Sequence, residues 1–244
     1  MPGLANKWSS TFARRIAVSF PDTVKLFPLK KTAYVGNPVR LNLARGSKES
    51  AQQAFQLVGN RKIILILGGS QGSQVINGEF LKMLPKLLDR YEIIHQCGTK
   101  NVHDVENEAP SVLSTKQVKY YHPIGFMTQE ELASAFAACD IIVSRAGSGS
   151  IFEIALVGKP SILVPLPEAA NDHQRLNAHS YAQNGAAVII EQANFYPGIV
   201  STKIEAILND KEVYQKMSEM AKSFSKPEAA AIIAEELIKL VGLE

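Results

Sequence analysis

The chain has 244 residues, is 46% hydrophobic and carries a net charge of +3. That length allows one large or two small domains with a normal core, and the charge is too mild to point to nucleic acid. No apolar run approaches the ~18 residues of a membrane-spanning helix, and none at the N-terminus forms a signal peptide, so a cytosolic or peripheral-membrane protein is expected.

Residues 1–60 hold nine bases (Lys7, Arg14, Arg15, Lys25, Lys30, Lys31, Arg40, Arg45, Lys48) against two acids (Asp22, Glu49), a local charge of +7 that leaves −4 for the remainder. Such a basic segment suits an anionic surface, lipid or partner, or is simply a solvated face. Residues 8–15 predict a short helix and 16–20 a short strand; Pro21, Pro28 and Pro38 then punctuate a stretch without sustained period. Residues 50–59 have helical spacing at Ala51, Ala54, Phe55 and Val58. The segment reads as a tail or linker rather than a self-sufficient fold.

From Arg61 strands and helices alternate. Residues 63–67 are continuously apolar, as a parallel strand buried on both faces should be. A Gly-rich turn leads to a helix over 74–88, with a kink expected at Pro85. Strands follow at 92–97 and 118–122. Thr128 and Glu131 form a capping box opening a helix through Ala138. A strand at 140–144 runs into Arg145-Ala146-Gly147-Ser148-Gly149-Ser150 and a helix that Gly158 and Pro160 terminate. A strand at 161–164, a helix at 174–183, a strand at 187–190 and helices at 198–208, 212–224 and 227–241 complete the chain. Cys97 and Cys139 adjoin apolar runs and read as buried free thiols, consistent with a reducing compartment. Six strand–helix alternations predict a doubly wound α/β domain with a Rossmann-like parallel sheet.

Two Gly-rich turns are candidate ligand sites. The first, 68–73, has Ser70 where G-x-G-x-x-G needs glycine, and the next strand ends without the acid that grips ribose, which argues against NAD. It lacks the Gly-Lys-Ser/Thr of a P-loop and is either a phosphate or sugar contact or a bare tight turn. The second is the better anion seat, because small residues leave the amides of Ser148, Gly149 and Ser150 uncovered at a helix start. Glu153 stands three after Ser150, so it is either a capping-box residue or a carboxylate for vicinal hydroxyls. Asn171, Asp172, His173 and Gln174 open a further helix: Asp172 fits a cap, and Gln174 fits neutral sugar hydroxyls. There is no G-x-S-x-G elbow for a serine hydrolase and no His/Cys/Asp/Glu set with metal-ligand spacing.

GGSQGS at 68–73, SRAGSGSIFEIALVGKP at 144–160 and NDHQRLNA at 171–178, with GNPVR at 36–40 and PGLAN at 2–6, resemble the MurG family of UDP-N-acetylglucosamine transferases across essentially the whole chain. The resemblance implies the C-terminal, donor-binding domain of a GT-B glycosyltransferase. Residues 1–60 would be a remnant of the N-terminal acceptor domain plus linker, 61–224 the UDP-sugar domain, and 225–244 a helix crossing back to the N-terminal domain. It implies that Glu153 binds the ribose, the amides of 148–150 hold the diphosphate, and Gln174 reads GlcNAc with His173 and Asn177 nearby. Ser70 and Arg40 would line the nucleotide side, the main chain at Phe126 and Met127 would meet uracil, and Arg145 would support the 145–150 turn. No cofactor or metal is implied beyond the substrate UDP-GlcNAc.

The implied acceptor is undecaprenyl-pyrophosphoryl-MurNAc-pentapeptide, at the cytoplasmic face of the cell membrane. The family's acceptor-side half, with its own Gly-rich loop and candidate base, is absent from these residues. Met1 then begins either one product of a split gene or an incomplete reading frame. The alternatives are a donor subunit working with a membrane-bound acceptor-domain partner chain, and a sugar-nucleotide-binding module with no transferase role.

Overall fold

The computed structural model describes residues 3–68, 73–167 and 172–242. The chain begins with helix α1 (Leu4–Phe12), strand β1 (Ile16–Val18) and strand β2 (Thr32–Tyr34), which pair in parallel as a small sheet. The 16–20 strand is thus shorter than expected, and β2 was not legible in a proline-broken stretch. Next come a 3-10 turn at Leu41–Arg45 and helix α2 (Lys48–Phe55), capped by Ser47, whose side chain accepts from the Ser50 amide.

The main sheet follows: β3 (Lys62–Leu67), β4 (Tyr91–Gln96), β5 (Tyr121–Ile124), β6 (Ile141–Ser144), β7 (Ser161–Leu163) and β8 (Ala187–Ile189). All pairs are parallel and the order is β5-β4-β3-β6-β7-β8. Helix α3 (Gln74–Leu87) follows β3, with Pro85 inside its last turn, and α4 (Val102–Val112) follows β4. The one-turn α5 (Thr115–Val118) precedes β5, and α6 (Gln129–Ala138) and α7 (Ser148–Val157) flank β6. Beyond them lie α8 (His173–Gln183), α9 (Pro197–Asn209), α10 (Lys211–Phe224) and α11 (Ala229–Val241).

Successive side chains of one strand go to opposite faces, and this explains the continuous apolar run in β3. Ile63 and Leu65 enter a core layer with Phe136, Phe152 and Tyr181, while Ile64 and Ile66 enter another with Phe80, Phe195 and Ile204. Burying such residues contributes about 25 cal/mol per Å² of apolar surface, so the sheet and its two helical layers form one strongly held unit. The capping box at Thr128 is present, with Glu131 accepting from the Thr128 amide at 2.7 Å and Thr128 accepting from Glu131 at 3.2 Å. The strand expected at 118–122 is corrected: Ser114 and Gln117 form a capping box that draws Val118 into α5, and the strand starts at Tyr121. Cys97 and Cys139 are buried free thiols, and burial pushes each up to about 12.

Leu43, Ala51 and Phe55 are buried in the same core layer as Phe136, so the 41–57 stretch packs as part of the large unit. Fully buried Glu92 ties this stretch down from β4: it accepts from the amides of Val58 at 2.7 Å and Gly59 at 3.1 Å and from His122 at 2.8 Å. The segment before Gly36 joins the core mainly through Phe20, whose ring meets Phe152 at 5.4 Å; Phe152 meets Phe224 at 5.3 Å. α11 lies along the small sheet, with Arg15 Nε donating to Glu236 at 2.8 Å and Arg14 to the Leu240 carbonyl at 3.2 Å. The chain passes between these parts at 36–40 and again at 225–228. The passages touch: a Cβ on Gly36, whose φ is +90°, would lie 2.4 Å from Cβ of Lys226.

Candidate functional site

Strand order reverses between β3 and β6, so the turns that leave their carboxyl ends flank a switch point, where open parallel sheets place ligands. The Gly68 amide donates to the Gln96 carbonyl at 3.2 Å. Ser70 and Asn171 lie outside the described residues.

The turn after β6 is the better defined. Gly147 is the N-cap of α7 in extended conformation, and no side chain caps the helix. The first amide served within the helix is that of Ile151, which donates to Gly147 O at 3.0 Å. The amides of Ser148, Gly149 and Ser150 therefore point out of the helix start with its positive dipole end. The Ser148 hydroxyl is buried without a hydrogen-bond partner among the described residues. A buried unmade hydrogen bond costs about 1–3 kcal/mol, so this orphan favours a ligand that supplies an oxygen.

Behind the turn sits Arg145, half-buried. Its guanidinium donates to Ser73 Oγ and Gln192 Oε1, each at 2.7 Å, and to the carbonyls of Val164 at 3.2 Å and Pro165 at 3.4 Å. These partners are neutral oxygens, so they orient the cation without cancelling its charge. Burial lowers its pKa from the ordinary arginine value, yet arginine stays ionised. The 145–150 turn thus carries both open amides and a fixed positive charge. Ser73 and Gln192 carried no signal in the sequence, because they meet Arg145 from 72 and 47 residues away.

The capping box suggested for Ser150 and Glu153 does not form. Gly147 takes the cap position, which puts Ser150 third in the helix. Glu153 instead holds Arg40, whose Nε and Nη2 lie 2.9 and 2.8 Å from Glu153 Oε1. Arg40 directly precedes the 3-10 turn that anchors Leu43, so the linker and α7 meet at this pair. Phe126 is exposed and Met127 buried at the turn before α6.

At the start of α8, Asp172 occupies the cap position with φ +58° but does not cap; its carboxylate accepts from Arg175 at 3.1 Å. Arg175 also binds Glu191 through two nitrogens, at 3.0 to 3.2 Å. Gln174 turns its Oε1 to the Leu166 amide at 3.1 Å, and Asn177 donates to the Ala146 carbonyl at 3.3 Å, bracing the α7 turn. His173, Asn177 and Ser180 share a helix face. With Ser148 they form one wall of a cleft of about 900 Å³, whose other wall includes Asn6, Ser9 and Ser10 of α1. Ser180 donates to Asp22 at 3.1 Å across it. The structure therefore brings Ser148, His173 and Asn177 to this cleft and pairs Arg40 with Glu153 elsewhere on α7. The α1 wall is a feature that the sequence did not signal.

A family model described as the glycosyltransferase family 28 C-terminal domain matches residues 63–233. A UDP-N-acetylglucosamine--N-acetylmuramyl-(pentapeptide) pyrophosphoryl-undecaprenol N-acetylglucosamine transferase of Thermodesulfovibrio yellowstonii is 35% identical over 238 residues, covering 96% of this chain and 63% of that protein. A protein of the same description from Bacteroides fragilis is 35% identical over 249 residues, covering 98% and 62%. The crystal structure of Acinetobacter baumannii MurG matches with a TM-score of 0.75 at 27% identity, covering 98% of this chain and 64% of that one. A Neisseria meningitidis UDP-GlcNAc 2-epimerase bound to UDP-GlcNAc shares the fold, with a TM-score of 0.69 at 19% identity over 98% of this chain and 64% of that one. The chain thus spans about three fifths of the length of the curated relatives it matches.

Proposed function

The chain belongs to the glycosyltransferase family 28 C-terminal-domain family, and from that premise we propose that it is the donor-binding half of an N-acetylglucosaminyltransferase of peptidoglycan synthesis. The α/β fold is that of the C-terminal, Rossmann-like half of GT-B glycosyltransferases such as MurG. The donor is UDP-GlcNAc, and the acceptor is the undecaprenyl-pyrophosphoryl-MurNAc-pentapeptide lipid, met from the cytoplasmic face with the enzyme peripheral to the membrane. No described helix is long and apolar enough to cross one.

The reading rests on the α7 start, where three open amides and the orphaned Ser148 hydroxyl stand in the turn that Arg145, a cation with neutral partners, begins. They suit the two phosphates of a nucleoside diphosphate. In the reaction the acceptor C4 hydroxyl displaces UDP from the anomeric carbon with inversion. Charge grows on the departing diphosphate, and preorganised amides and a fixed guanidinium stabilise it without reorganising. The reading assigns that role to protein groups and no metal. Glu153 takes the ribose diol, Gln174 the GlcNAc hydroxyls, and His173 and Asn177 face the acceptor cleft. The base for the attacking hydroxyl belongs to the acceptor side, and the reading assigns none of the residues of this chain to it. These 244 residues therefore bind donor but do not transfer sugar unaided.

Calorimetric titration with UDP-GlcNAc tests this. A Cβ on Gly149 meets nothing within 4 Å, so Gly149→Asp fits, and an acid there favours the helix start while filling the anion seat. The parent chain binds UDP-GlcNAc; Gly149→Asp loses at least about tenfold in affinity, about 1.4 kcal/mol, with no fall in thermal midpoint. Equal affinities, or no binding by the parent, overturn the proposal.

A further inference from the structure

We propose that Arg175 is a positioning residue for the sugar end of the donor: by clasping Glu191 and Asp172 it fixes the first turn of α8, and with it Gln174. The inference rests on the reading of Gln174 as the residue that meets the GlcNAc hydroxyls. α8 is anchored from its second half, where Ala178 and Tyr181 are fully buried. No side chain caps its start, and Asp172 stands there in the left-handed region, at φ +58°. That conformation is costly for an L residue, even for aspartate, which tolerates it better than most, so the turn needs a partner that holds it. Arg175 is that partner. Its Nη1 donates to Asp172 Oδ2 at 3.1 Å, and its Nε and Nη2 grip the Glu191 carboxylate at 3.0 to 3.2 Å.

Glu191 is a firm mount. The Ile190 amide beside it donates to the Leu163 carbonyl of β7 at 3.0 Å, the Glu191 carbonyl accepts from the Asn194 amide at 2.8 Å, and Phe195 is buried. The next residue, Gln192, accepts from the Arg145 guanidinium at 2.7 Å. Two neighbouring residues of one tied-down turn therefore hold the α7 turn and the α8 start at once. A guanidinium that meets a carboxylate through two nitrogens fixes direction as well as distance, which a single ammonium does not. Gln174, next to Arg175, gives its Oε1 to the Leu166 amide at 3.1 Å. Because a backbone N–H only donates, that bond decides which end of the carboxamide is committed to the protein, and the NH2 end is the one offered to a sugar oxygen. Loosening the first turn of α8 spoils that aim. The α7 turn keeps its shape, held by Arg145's own bonds to Val164 and Ser73. The clasp thus bears on the sugar and not on the nucleotide.

UDP and UDP-GlcNAc, titrated calorimetrically against the parent chain, Arg175→Met, Arg175→Lys and Gln174→Ala, test it. The readout is the ratio of the two affinities, which a general loss of stability does not move. Arg175→Met lowers the affinity for UDP-GlcNAc relative to UDP by at least about twofold, the lower end of what one lost hydrogen bond removes. Arg175→Lys keeps the cation without the fork and retains a higher ratio than the methionine variant. Glu191→Gln, which keeps the shape of its side chain, lowers the ratio in the same direction and serves if Arg175→Met does not fold. The proposal is overturned if the ratio for Arg175→Met stays within about twofold of the parent's, or if the lysine variant does no better than the methionine one. If Gln174→Ala lowers the ratio and Arg175→Met does not, the sugar reading of Gln174 stands and the clasp alone fails. If Gln174→Ala leaves the ratio unchanged, that reading fails and the clasp falls with it. A parent chain that binds neither ligand overturns both.

Discussion

Glu92 is a fully buried carboxylate whose partners come from the α2–β3 connection and from β5. Because an ionised carboxylate only accepts, Nε2 of His122 carries the proton of their hydrogen bond. Burial alone would push the carboxyl up; the bonds from His122 and the amides of Val58 and Gly59 outweigh it and hold the group below its usual value. A lowered folded-state pKa means stability that is present above the unfolded value of about 4.3 and is lost as pH falls through the folded one. Glu92→Gln is accordingly expected to cost about 1–3 kcal/mol at pH 7. The gap from the parent closes as pH drops below about 4. Urea midpoints measured from pH 7 to pH 3 check this, and a constant gap across that range would refute it. His95 contrasts with Glu92. Burial pushes it down to about 3, and it stays neutral between Tyr121 at 2.9 Å and Asn77 at 3.1 Å, a satisfied core histidine that pins the first turn of α3 to β4.

At the scale of elements, the close pass of the 41–45 turn over α6 depends on Gly46. A Cβ there would lie 2.0 Å from the Ala133 carbonyl oxygen, and backbone cannot swing aside as a side chain can. Gly46→Ala is expected to cost about 1–3 kcal/mol, read as a lowered denaturation midpoint, while the exposed Gly149→Ala costs less than about 0.5 kcal/mol. The same comparison explains what the sequence disclosed. β3, β6 and the α7 turn were legible because a strand buried on both faces is continuously apolar and Gly-Ser-Gly punctuates it. α4 was not, since only Val105 and Ala109 are buried and Pro110 sits inside it. The position of Glu153 was readable but its partner was not: Arg40 lies 113 residues away, and local spacing instead suggested a cap that Gly147 had already taken. The start of α11 also shifted, from Pro227 to Ala229.

For the molecule as a whole, the large sheet is well covered and the N-terminal part is not. α1 buries no residue, and Leu4, Trp8 and Phe12, spaced four apart on one side, are 76%, 77% and 88% exposed. Arg14 and Arg15 link this end to α11, where Leu237 and Val241 are exposed too. Exposed apolar side chains gathered on one helix face mark an interaction site. The 244-residue chain is therefore expected to associate with itself in a concentration-dependent way and to bind an apolar dye. Replacing Leu4, Trp8 and Phe12 together by serine should abolish the association without lowering UDP-GlcNAc affinity. Sedimentation velocity over a concentration series decides it, and a parent chain that is monomeric throughout would contradict it.

The contact of Gly36 with Lys226 has a practical consequence. The polypeptide that builds the six-stranded sheet enters at one and leaves at the other, so its two ends lie side by side. A unit with adjoining ends behaves as a cassette: it can be spliced into another protein at a single surface loop, or have its ends joined and be reopened elsewhere, without stretching a connection across the fold. Evolution and protein engineering can therefore exchange the sheet unit as one piece, keeping its α7 turn while changing what surrounds it.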